Sequence, residues 1–68
     1  MSFQVKVYSH PGPEAEELIY NDYENLGEAI TRCQNHSSKV LVWIWNPDHH
    51  RIQAVSFSGT LYTIKQAG

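Results

Sequence analysis

Residues 39–45 read KVLVWIW and run directly into Asn46-Pro47-Asp48-His49. In an extended chain successive side chains point to opposite sides, so Val40, Val42 and Ile44 share one face and Leu41, Trp43 and Trp45 the other. Asn at the first position and Pro at the second suit a type I turn, so the strand enters an antiparallel hairpin. Both faces of this strand are apolar, and one helix covers only one face of a sheet. What covers each face decides the fold.

The covering helix lies just upstream. Asn25 stands three residues before Glu28, which resembles a capping box with Asn in place of Ser or Thr. Leu26, Ala29, Ile30 and Cys33 then fall at i, i+3, i+4 and i+7 and form one apolar stripe, with Glu28, Thr31, Arg32 and Gln34 on the polar side. Asn35, His36 and the serines end the helix, and His36 sits where a cation suits the helix dipole. The β-branched face of Val40, Val42 and Ile44 is the expected partner of this stripe.

Phe3, Val5 and Val7 alternate with Gln4, Lys6 and Tyr8, which predicts a first strand over residues 3–9. The HPGP segment at 10–13 breaks it. Residues 14–22 are ambiguous: EAEEL favours helix and LIYNDY favours a strand, and a strand at about 17–20 is adopted. Beyond the turn, Arg51 to Phe57 returns antiparallel, with Ile52 and Ala54 on one face and Val55 and Phe57 on the other. Ser58-Gly59 suits a second tight hairpin, and Thr60 to Lys65 gives a last strand. The expected fold is α+β in ββαβββ order: a small antiparallel meander of four to five strands with one amphipathic helix on one face.

A chain of 68 residues leaves no room for a linker and a second core, so residues 1–68 are expected to form one compact domain. A hydrophobic fraction of 41% and a charged fraction of 18% are those of a globular protein. The net charge of −2 argues against nucleic acid, because Lys6, Arg32, Lys39, Arg51 and Lys65 are scattered singly rather than gathered on a face. Seven acidic residues are too few to imitate a phosphate ladder. The N-terminal MSFQVKVYSH lacks the apolar run of a signal peptide, and KVLVWIW is far too short to cross a bilayer. With Cys33 as the single cysteine, these features lead to the expectation of a cytoplasmic protein with no membrane attachment.

No pattern of catalytic chemistry stands out, and neither an enzyme nor a cofactor is expected. His49 and His50 are adjacent, so on a strand they would point apart, and a metal site would need His10 or His36 brought close. Cys33 lies on the apolar stripe as a small buried hydrophobe rather than in the exposed, electropositive setting of a nucleophile. Gly12, Gly27 and Gly59 are isolated and make no phosphate-cradling loop.

What remains is surplus apolar surface. With the helix on the valine face, Leu41, Trp43 and Trp45 lie on the open side, joined by Val55 and Phe57. An apolar patch of that kind marks a contact surface, and Trp anchors such interfaces. The sequence therefore predicts a small interaction or regulatory protein that binds a protein partner or itself through this face or an edge strand. The alternative is a single-stranded nucleic-acid binder that stacks bases on Trp43, Trp45, Phe57 and Tyr62. The basic and glycine-containing signature that usually accompanies such stacking is absent.

Overall fold

A computed structural model of the chain describes residues 2–67. The elements follow the expected ββαβββ order: β1 (Ser2–Tyr8), β2 (Glu17–Tyr23), α1 (Leu26–Ser37), β3 (Ile44–Asn46), β4 (Arg51–Val55) and β5 (Leu61–Ala67). The strands form one five-stranded antiparallel sheet in the order β2-β1-β5-β4-β3, with the helix on one face. This is the α+β class read from the sequence. The topology is not a simple meander, because β5 returns to pair with β1, Val5 opposite Ile64 and Val7 opposite Tyr62. Helix α1 therefore links the two edges, leaving β2 on one and arriving at β3 on the other.

Local chemistry explains the boundaries. The side chain of Asn25 accepts a hydrogen bond from the Glu28 backbone N–H at 2.8 Å, which satisfies one of the free donors of the first turn. At the other end Ser38 adopts a left-handed conformation (φ 61°) and its N–H donates to the Gln34 carbonyl, closing the helix. Asn46 Oδ1 accepts from the backbone of Asp48 and His49, which holds the β3–β4 turn. In the β4–β5 turn Gly59 has φ 89° and its N–H donates to Ser56, a conformation that glycine adopts at low cost.

The core joins Val5 and Val7 of β1, Tyr62 and Ile64 of β5, Ala54 of β4 and Ala29 and Cys33 of α1, with Leu41 added from the segment before β3. This reverses the expected face of residues 39–45. Val40, Val42 and Ile44 point to solvent, while Leu41 is buried and Trp43 packs against the core. Volume supplies the reason. The helix positions that are fully buried are the small Ala29 and Cys33, and small residues leave room for large partners such as Tyr62, Leu41 and Trp43. Furthermore, α1 contacts β1, β2 and β5, so the β4 end of the core is closed by Leu41 and Trp43 instead.

The long strand expected at 39–45 is also shorter than its pattern. The chain leaves the helix layer at Ser38 and joins the ladder only at Ile44, opposite Gln53. Residues 40–43 keep the alternating exposure of an extended chain without pairing to β4.

Candidate functional site: a sheet edge beside an exposed apolar strip

The five residues expected to share a contact face are divided between the two sides of the sheet. Leu41 is 5% exposed and Trp43 is half-buried on the helix side. Trp45 shares their side, but on the edge strand it is 60% exposed, its ring edge-to-face with His50 at 6.4 Å. It borders a cleft of about 470 Å³ with Phe3, Leu26, His50 and Ile52. Val55 and Phe57 are on the opposite, open side. There they meet the residues that the sequence reading gave to the helix: exposure is 84% at Val40, 78% at Val42, 58% at Ile44, 52% at Val55 and 95% at Phe57.

Val40, Val42, Val55 and Phe57 line a groove of about 330 Å³ together with Lys39, whose ammonium lies 5.5 Å from the centre of the Phe57 ring. Continuing the β3–β4 register from Ile44 opposite Gln53 would set Val42 opposite Val55. That pair is not formed, and among the described residues no backbone hydrogen bond joins the two. The groove is a gap in the ladder lined with apolar side chains.

Backbone direction at this edge follows from one bond. Ser56 donates its N–H to the Thr60 carbonyl, so Ser56, Ala54 and Ile52 turn their backbone groups to β5. Arg51 and Gln53 then face β3, and their partners Asn46 and Ile44 face β4. Trp45 is left with its N–H and C=O turned away from the sheet, where β3 is the last strand. An edge of this kind offers a template for another strand.

The two edges differ in charge. Strand β2 carries Glu17 and Asp22 between Glu16 and Glu24, while residues 40–47 hold no charged side chain. The rest of the open face is largely polar. Lys6 lies 5.2 Å from the centre of the Tyr20 ring, and Thr63 Oγ1 donates to the Lys6 carbonyl at 2.8 Å.

Titratable groups elsewhere are placed as structural elements. Cys33 is buried, and desolvation pushes its thiol up to about 11, so at neutral pH it carries its proton. Burial, with a smaller contribution from Cys33, also raises Tyr62, whose hydroxyl shares a 2.7 Å hydrogen bond with His36 Nδ1. His10 and His49 border one pocket between the 10–15 loop and the open face, along with Tyr8 and Arg51. Among the described residues, no three His, Cys, Asp or Glu side chains come together as metal ligands. The aromatics expected to stack bases do not share a platform: Tyr62 is core, Trp43 is half-buried, and Trp45 and Phe57 lie on opposite sides.

Among the described residues, no helix is long and apolar enough to cross a membrane. No protein family, curated protein or solved structure gives a significant match to this chain. The exposure of Val40, Val42 and Ile44 was legible as one of two options for an alternating strand. The sequence signal that separates them is the small-residue stripe of Ala29 and Cys33, which calls for large side chains from the sheet.

Proposed function

We propose that this chain is a small non-enzymatic interaction protein whose contact surface is the β3 edge with the strip of Val40, Val42, Ile44, Val55 and Phe57. One observation carries the reading. Those five exposed apolar side chains lie on the open side near the gap in the ladder, at an edge whose residues 40–47 carry no charge. Leaving such side chains in water forgoes roughly 1.5–3 kcal/mol each, a large amount for a domain of this size. A partner that adds an extended segment recovers this burial and satisfies the edge backbone together, which is the physics of strand addition.

The test is selection of a displayed library of short unstructured peptides on the wild type, followed by measurement on Val42→Glu and Phe57→Glu. Both positions are exposed, so the variants keep the fold. Peptides that bind the wild type and lose at least about tenfold on either variant, ~1.4 kcal/mol, are the expected result. A library that yields no binder, or binders indifferent to both changes, contradicts the reading.

A further inference from the structure

We infer that the occupant of the β3 edge is a second copy of this chain, the two edges pairing antiparallel about a two-fold axis so that one sheet runs through both copies. This rests on the reading of that edge as the contact surface. Charge favours this pairing. Residues 40–47 are uncharged and are bounded by Lys39 at one end and Asp48 at the other. Antiparallel pairing brings the Lys39 end of each copy to the Asp48 end of its partner, twice over, whereas a parallel pairing would set like charges together. The segment is its own electrostatic complement.

The pairing also covers exposed backbone and apolar side chains. Trp45 turns its backbone N–H and C=O outward, and residues 40–43 continue the edge in extended form. Val42 and Ile44 of one copy then meet those of the other on the open side, as β-branched pairs that pack well across strands. Trp45, exposed on the helix side, gains a neighbour from the same contact.

The assembly closes because the two sheet edges differ. If both sheet edges were open to pairing, copies would add without end. Self-pairing of β2 would set Glu17 and Asp22 against each other, and pairing β2 with β3 would lay these acids along an uncharged strip. Association therefore stops at two copies.

Sedimentation equilibrium from low to high micromolar concentration tests this directly. The wild type passes from monomer towards dimer and goes no further; an edge of this length makes a small interface, so the association is weak. Val42→Lys, at an exposed position, raises the dissociation constant at least tenfold while its circular dichroism stays that of the wild type. At low salt Lys39→Asp weakens the dimer several-fold, and Lys39→Asp combined with Asp48→Lys restores it. A wild type that stays monomeric throughout, or grows past the dimer, overturns the inference. So does a Val42→Lys protein that dimerises like the wild type, or a double variant as weak as the single one. A monomeric wild type that still captures displayed peptides through Val42 and Phe57 shows that self-pairing alone has failed and that the contact surface stands.

Discussion

Trp43 and Val42 are neighbours in the chain and opposites in the fold. Trp43 packs against the core, while Val42 is open to solvent. Trp43→Ala should cost about 3–5 kcal/mol, because it removes a large side chain packed against the core and leaves a cavity. Val42→Ala should stay within about 0.5 kcal/mol, since it removes little packing. Chemical denaturation of the two variants reads this directly, and equal losses would contradict the face assignment. The Trp43 indole N–H is buried with no acceptor among the described residues, a loss of about 1–3 kcal/mol in an otherwise apolar setting. Trp43→Phe deletes that donor and should cost clearly less than Trp43→Ala. Cys33 supplies a pH test. Its folded-state pKa, about 11, lies above the ordinary 9.0, so its contribution is fully present below pH 9 and lost as pH rises through 11. Tyrosine and lysine titrate in the same range, so the readout is a difference. The fall in stability between pH 9 and 11 should be smaller in Cys33→Ala than in the wild type. Identical pH profiles would show that the thiol does not feel its burial.

At the scale of elements, local signals were the legible ones. The switch from alternation to the 3.6-residue stripe located α1, and the Asn25 side chain caps it as its spacing to Glu28 suggested. Asn25→Ala should cost about 1 kcal/mol in the thermal or denaturant transition, with no effect expected on residues of the β3 edge. A neutral result would mean that the first turn is held by packing alone. Strand β2 emerged from an ambiguous stretch because LIYNDY pairs along β1, from Phe3 opposite Tyr23 to Val7 opposite Ile19. Propensity in EAEEL pointed the other way, and sheet pairing overrode it for Glu17 onward. The face of residues 39–45 was not legible from alternation, which sorts side chains into two sets without saying which set is inside. The buried helix positions, Ala29 and Cys33, hold that information as missing volume.

At the scale of the whole molecule, the pairing of β1 with β5 joins the two ends of the chain, and no local pattern in either strand announces it. It places β2 and β3 at opposite edges and gives the protein one charged edge and one neutral edge. Two of the five residues of the candidate strip are legible in the sequence: Val55 and Phe57 are expected on the contact strip and lie exposed beside the groove. Leu41 and Trp43 were not separable from Val42 and Ile44, because that choice depends on the volume available under the helix. Residue-resolved amide hydrogen exchange at several protein concentrations shows whether copies meet at the neutral edge. Trp45 has its N–H turned away from the sheet, and so does Trp43 if the extended edge continues through it. Both amides should exchange fast in dilute solution and become protected as concentration rises. The β2 amides in Glu17–Tyr23 should show no such dependence. Protection at Trp43 and Trp45 that does not change with concentration, or a rise that appears on β2 instead, would contradict the account.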